Sequence, residues 1–375
     1  MRQPGLFLGL QPPDAGGLLY TFATPGLVTL PPWLQFSCAS TRNVEIVPNT
    51  LTKGIAVNQA VAGLFGLVHE VTDTNYTSYS ENFSLAPWTL NAAPTVTYNV
   101  SDPAGGTTAM RVQSVGGASE IYQNTLTAPF STTHNISAYI LGDGAASYSL
   151  FTSAATAATT YGVTPTTWTR KSAQYNGASI QNFYNVMGAS NGNGVPNIAT
   201  DAKYAFVQYS MLPWLTTYIT NNTVGSAVTR AASLLSTNAM PASNNFELTY
   251  SYINILPSAS YASPTGHIIL SNIDSSKYVS LTTNGIIRAV SGTIVNGVNP
   301  TSMPGNGEIV TVKIRVTGTS YKITTYVNSV QQNQETLAMS SGWTTGSSTG
   351  YLGSAFDGSV GMPQAGVKSI GLVSL

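Results

Sequence analysis

The stretch Ile309-Val310-Thr311-Val312-Lys313-Ile314-Arg315-Val316-Thr317-Gly318-Thr319-Ser320-Tyr321-Lys322-Ile323-Thr324-Thr325-Tyr326-Val327 decides the fold class. Val310, Val312, Ile314 and Val316 alternate with Thr311, Lys313 and Arg315, the period-two pattern of a half-buried strand. Gly318-Thr319-Ser320 supplies a turn, after which Tyr321, Ile323, Thr325 and Val327 continue one face. Weaker versions of the same alternation run through Phe246 to Ile255, Gly266 to Leu270 and Tyr278 to Leu281. Gly, Asn and Pro clusters such as Gly297-Val298-Asn299-Pro300 and Pro304-Gly305-Asn306-Gly307 separate these runs. Helical periodicity is almost absent. Many short strands between turn clusters predict an all-β chain built from two tandem antiparallel sandwiches of the jelly-roll kind.

Three blocks follow from the punctuation. Residues 1–82 are broken by Pro and Gly, show little sustained alternation, and are expected to form an irregular attachment segment lying on a partner or on the next domain. Residues 83–232 and 233–375 are expected to form the two sandwiches, and the apolar pair Leu372-Val373 places a strand near Leu375. Within the middle block, Ser153 to Thr160 reads as strand or loop rather than helix, because of its β-branched threonines.

Composition narrows the function classes. Of 375 residues only 7% are charged, against about 25% in ordinary globular proteins, and 14 basic residues balance 14 acidic ones. That balance lacks the basic footprint of a nucleic-acid binder, and 42% hydrophobic residues argue against disorder. Polarity carried by Ser, Thr, Asn and Gln suits a crowded, permanent assembly. The single Cys38 makes no internal bridge and reads as a small buried side chain. Leu6 to Leu10 is too short for a signal-peptide core of about 7–15 residues. No run approaches the ~20 apolar residues of a membrane span. Asn75, Asn82, Asn99, Asn135 and Asn221 open Asn-X-Ser/Thr triplets, expected to stay unmodified without a secretion signal.

Chemistry-bearing residues are sparse. Hydrolysis needs converging carboxylates, and among seven Asp and seven Glu the closest-spaced candidate is Glu70 with Asp73. His69, His134 and His267 are far apart and show no metal-ligand spacing, so no metal and no cofactor are expected. Gly192-Asn193-Gly194 and Gly305-Asn306-Gly307 lack the strand-before, helix-after setting of a phosphate loop. Asp102 with Asp143, or Asp274 with Asp357, has carboxylates for Ca²⁺, but Asp102-Pro103, Asp143-Gly144 and Asp357-Gly358 are also turn chemistry, the favoured reading.

Phe36-Ser37-Cys38-Ala39-Ser40-Thr41 and, some thirty residues on, Gly66 to Asn75 resemble the first and second signatures of tailed-bacteriophage tail and fibre proteins. Tyr79-Ser80-Glu81-Asn82-Phe83 with Trp88, Trp168-Thr169-Arg170, Tyr218-Ile219 and Val228 to Ala232 resemble the carbohydrate-binding-module-like jelly roll of those proteins. Residues 310–327, Tyr351 to Ser354 with Gly358, and Val367 to Ile370 look like the concanavalin A-like or laminin-G-like domain that often follows it. Cys38 stands where the family usually has Arg, and Ser233 where an Asp commonly follows Arg-Ala-Ala.

The resemblance implies a non-enzymatic virion protein, assembled in the host cytoplasm and carried on the tail or baseplate. It would be a short tail fibre or receptor-binding component that adheres to host-surface glycans, docks on other virion proteins through residues 1–82, and forms a homo-oligomer, a trimer by analogy. Neither nucleic acid nor membrane insertion is implied. A capsid or head-fibre decoration protein is the alternative, and a polysaccharide depolymerase a weaker one. Sugar faces need flat aromatic rings, for which Trp343, in Ser341-Gly342-Trp343-Thr344, is the first candidate although a core position is the slightly favoured reading of it, with Tyr261, Tyr184 and Trp214 behind it. Trp88 and Trp168 read as core residues.

Overall fold

The computed structural model describes residues 17–22, 24–63, 66–70, 72–114, 119–124, 133–152, 159–176, 184–188, 199–212, 216–241, 244–254, 267–272, 276–281, 287–291, 293–297, 304–305, 307–343, 349–353 and 364–375. Every regular element among them is a β-strand, so the chain is all-β. No helix among them is long and apolar enough to cross a membrane.

The chain folds as two compact units that interleave in sequence. The terminal unit comprises Met1–Ala39, Asn58–Val71 and Ala232–Leu375; the inserted unit comprises Ser40–Val57 and Thr72–Ala231.

In the terminal unit the decisive hairpin forms as its alternation predicts. Ile309–Thr317 pairs antiparallel with Ser320–Val327, matching Val310 to Val327, Ile314 to Ile323 and Val316 to Tyr321. Gly318 makes the turn at φ +60°, a left-handed geometry that only glycine adopts without a steric cost. Val310, Val312, Ile314 and Val316 are buried, while Arg315 and Thr317 between and after them are exposed. Asn245–Asn254, His267–Ser271 and Lys277–Leu281 realise the other three alternating runs. One sheet runs Gly26–Leu27, Val61–Gly63, Gly66–Glu70, Gln364–Ser374, Asn245–Asn254, Ile309–Thr317, Ser320–Val327, Val330–Ala338, with Leu18–Thr21 also along Gln364–Ser374. The second runs Thr293–Asn296, Ile287–Ser291, Lys277–Leu281, His267–Ser271, Gly350–Leu352, Ser233–Thr237, Leu34–Cys38. A single apolar cluster takes Phe246, Leu248 and Ile314 from the first and Leu235, Leu270 and Ala289 from the second, which makes the unit a β-sandwich.

Among the described residues of the inserted unit, ten strands link as one network, whose two halves are joined in strand pairing by a parallel bridge, Ser147 to Thr200. One antiparallel layer is Thr95–Val100, Ala109–Ser114, Thr200–Ser210, Thr133–Leu141, Thr169–Asn176; the other is Thr159–Val163, Ser147–Thr152, Tyr184–Gly188, Glu120–Asn124, Trp88–Asn91. Met110, Val112, Ile136 and Tyr204 meet Ile121, Leu150 and Met187 between them. Phe206, at φ +54°, is the extra residue of a bulge, since Tyr139 pairs with Ala205 but Ser137 with Gln208. The bulge keeps both Tyr204 and Tyr209 in the core and turns Phe206 outward. There it packs with Leu51, Tyr139 and Tyr218, as a third layer made by the hairpin Arg42–Val47/Thr50–Ile55 and the run through Tyr218.

The linear three-block division therefore differs from the observed units. The described part of residues 1–82 is not a separate irregular segment but is shared between both units. Leu34–Cys38 pairs with Ser233–Thr237, Leu18 faces Leu372, and Asp73–Asn75 pairs with Val228–Arg230. These strands are two to six residues long, too short for alternation to show, and their partners lie far along the chain.

Candidate functional site

The aromatic candidates do not form an exposed platform among the described residues. Trp343 is only 4% exposed, lying in the terminal unit's core edge-on to Phe246 at 6.1 Å and tilted on Tyr321 at 6.2 Å, which corrects its assignment as a glycan surface. Tyr184 stands in the strand Tyr184–Gly188, its side chain outside the described residues; Tyr261 and Trp214 lie outside them altogether. Trp88 is buried, its indole N–H donating to the Tyr79 carbonyl at 3.1 Å, and Trp168 packs half-buried on the outer cluster.

Glu70 and Asp73 fall in different units. Asp73 is buried and accepts hydrogen bonds from Ser210 Oγ at 2.7 Å, Gln208 Nε2 at 3.1 Å, Thr216 Oγ1 and the Thr74 N–H. Arg170 extends this network, donating to Ser137 Oγ, Gln208 Oε1 and the Thr216 carbonyl. A carboxylate saturated in this way holds structure together rather than attacking a substrate.

Asp102 is buried in its own turn. Burial raises its pKa, but hydrogen bonds from Thr108, Gly106 and Ala104 outweigh it and leave the carboxyl below its ordinary range. Asp274 and Asp357 lie outside the described residues, as do Gly192 to Gly194 and Asn306. Among the described residues no three metal-ligating side chains cluster. Asn75, Asn135 and Asn221 are buried, so three of the five glycosylation triplets are closed to modification, whereas Asn82 and Asn99 are exposed. Cys38 is buried, as expected.

His134 is fully buried against the Tyr209 ring at 5.4 Å, and burial lowers its pKa to about 4 from 6.5. The side chains of His69 and His267 lie outside the described residues. The folded state thus disfavours a proton on His134 that the unfolded chain accepts below pH 6.5. Its contribution to stability is complete above that value and falls as pH drops toward 4, by at most ~1.4 kcal/mol per pH unit. Asp102, Asp143 and Asp201 are held below 3.8, so their losses begin lower. Urea unfolding at stepped pH should show a decline between 6.5 and 4 that His134→Gln flattens; an equal decline in both proteins would assign it elsewhere.

Two clefts on the inserted unit are lined by described residues. The first, about 300 Å³, is lined by Arg111, Asp143, Asp201 and Lys203 with Leu141, Gly142 and Ala202. Strand alternation builds it: Met110, Val112, Ala202 and Tyr204 point into the core, so Arg111, Gln113, Asp201 and Lys203 project from the opposite face. Register then sets Arg111 beside Lys203 and Gln113 beside Asp201. The Arg111 guanidinium grips Asp201 through Nε and one terminal nitrogen, both at 2.6 Å, and Gln113 Nε2 donates to the same carboxylate at 3.1 Å. Arg111 accordingly lowers the Asp201 pKa, and the Ala146 and Ala145 N–H groups lower that of Asp143. The pair is 42% and 36% exposed, so it adds little stability. Only 7% of the chain is charged, yet four of seven lining residues are.

No protein-family model and no curated protein sequence matches the chain. Among solved structures it is similar to domains LG4-5 of the mouse laminin alpha1 chain. The match has a TM-score of 0.24 and 8% identity, and covers 76% of this chain and 92% of that one.

The second cleft, about 520 Å³, is lined half by neutral polar residues, Ser40, Thr41, Asn43, Thr220 and Thr229, with Lys53 and Arg230. Alternation marks Arg111, Gln113, Asp201 and Lys203 as outward residues in the sequence. Their convergence was not readable there, because it depends on pairing strands some ninety residues apart.

Proposed function

We propose that the chain is a non-catalytic adhesion protein of a tailed-phage particle, gripping a surface glycan through the Arg111–Asp201–Lys203 cleft of its inserted unit. The observation that carries this reading is the concentration of charge in that cleft. The guanidinium, carboxylate and ammonium of Arg111, Asp201 and Lys203, held by strand register, and the exposed carboxylate of Asp143 offer paired donors and acceptors that match vicinal sugar hydroxyls. A volume near 300 Å³ suits one or two sugar rings rather than a long chain. Single-site affinity would be weak, with strength coming from many copies per particle. The phage assignment itself rests on the order of the sequence motifs.

A glycan array probed with the multimerised full chain tests the reading. At least one surface glycan should bind, and Asp201→Ala should weaken it about 10- to 100-fold, the effect of losing hydrogen bonds to a charged group. Absence of any binding, or binding untouched by Asp201→Ala and Arg111→Ala, would overturn it. No sugar should be released from capsule or lipopolysaccharide.

A second reading, decoration of the particle through protein contacts alone, is favoured by the strand Thr159–Val163. Among the described residues it pairs on one side only and leaves Tyr161 and Val163 50% and 60% exposed. Under that reading, particles lacking the chain would adsorb normally but break apart more readily.

A further inference from the structure

Asn43 and Lys53 line the larger of the two clefts, and the buried carboxylate of Glu81 lies behind them. The bulged register of the hairpin, Arg42 to Ile55 and Val44 to Thr52, sets Asn43 opposite Lys53-Gly54, and the Gly54 N–H donates to Asn43 Oδ1 at 3.0 Å. Both side chains reach the same inner layer. Asn43 Nδ2 donates to the Tyr218 carbonyl at 3.0 Å and to Thr220 Oγ1 at 3.1 Å. Lys53 Nζ lies 5.1 Å from the centre of the Phe206 ring, which itself sits 5.0 Å from the Tyr218 ring. Glu81 bridges the two: its Oε2 is 2.5 Å from Lys53 Nζ, and its Oε1 accepts from Thr220 Oγ1 at 2.8 Å. The Glu81 side chain is 6% exposed and that of Lys53 32%.

We propose that Lys53 Nζ and Asn43 Cγ become joined by an intramolecular isopeptide bond, with Glu81 as the proton carrier. Glu81 Oε2, 2.5 Å from Lys53 Nζ, is placed to take the lysine proton as the reaction begins, which leaves a nucleophilic amine. The amine lone pair attacks Asn43 Cγ, and the carbonyl π electrons move onto Oδ1, where the Gly54 N–H stabilises the developing charge. The added amine passes a proton to Nδ2 along the Glu81–Thr220 relay; collapse then restores the C=O and breaks the Cγ–Nδ2 bond, and the departing ammonia takes up the proton held by Glu81. The net change exchanges the primary amide of Asn43 for a secondary amide to Lys53 and releases one ammonium, with no oxidant and no cofactor. The bond would staple the hairpin that covers Phe206, and it stands independently of glycan binding at the other cleft.

Intact-mass measurement of the full chain after denaturation tests it. The expected mass is about 17 Da below that of the sequence, the mass of one ammonia. Trypsin should fail to cut after Lys53, giving a peptide that starts at Asn43 and carries an internal link. Glu81→Gln and Lys53→Arg should both restore the full mass, the second keeping a cation beside Glu81 so that the fold, checked by circular dichroism, is retained. A wild-type chain at full mass with Lys53 cleaved would overturn the proposal. So would a deficit that persists in Lys53→Arg, which would place the lost ammonia at another asparagine.

Discussion

Replacing Asp73 with alanine is expected to destabilise the inserted unit by about 3–5 kcal/mol, the range for removing one partner from a buried charged network. Asp73 is 4% exposed and takes hydrogen bonds from Ser210, Gln208 and Thr216 side chains and from the Thr74 backbone. Without it, three side-chain donors lose their shared acceptor in a place water reaches poorly. The damage spreads, because Gln208 Oε1 also accepts from the Ile219 N–H and from Arg170. Asp73→Asn keeps the volume but turns an NH₂ toward groups that donate, so it should fall between wild type and alanine. Two units need not unfold together, so amide exchange on residues 133–141 and 200–210 is the appropriate readout. Thr229→Ala, at an exposed position, serves as the control and should stay within about 0.5 kcal/mol. Unchanged protection in Asp73→Ala would refute the structural role and reopen Asp73 as a reactive group.

The same residue shows how far the sequence could be read. Spacing joined Asp73 to Glu70, yet the chain passes from one unit to the other between them. The partners of Asp73 are Ser, Thr and Gln residues some 140 positions away, indistinguishable in sequence from other polar residues of this chain. The hairpin at residues 309–327 was legible because its strands are long, adjacent and buried on one face, so local pattern and tertiary environment agree. Short strands such as Gly26–Leu27 and Val61–Gly63 carry too few residues for any period, and they owe their conformation to a sheet assembled from distant segments. The run Tyr204-Ala205-Phe206-Val207 breaks alternation, and that break was a usable sign of the bulge that creates the third layer. Charge placement was legible residue by residue and opaque as a site, since register alone brings Arg111 to Asp201.

Trp343→Ala should cost the terminal unit about 3–5 kcal/mol, the penalty for emptying a large aromatic site in a packed core. In sequence the tryptophan sits among Ser341, Gly342 and Thr344, a polar loop that suggests exposure. In the fold its ring closes over Phe246 and Tyr321, which come from two different strands, while Lys277 Nζ ties the preceding Gly342 carbonyl at 2.6 Å. Trp343→Phe retains part of the edge-on contact and should lose less than half as much. An indole serving as a sugar platform would behave in the opposite way: alanine would leave unfolding within about 0.5 kcal/mol and abolish binding. Urea unfolding followed by amide exchange in the strand Asn245–Asn254 separates the two, with glycan binding measured on the same samples below their unfolding transition. A destabilised variant that still binds would leave the Arg111–Asp201 cleft as the adhesive surface, whereas a stable variant that no longer binds would move that surface to the terminal unit and to Trp343 itself.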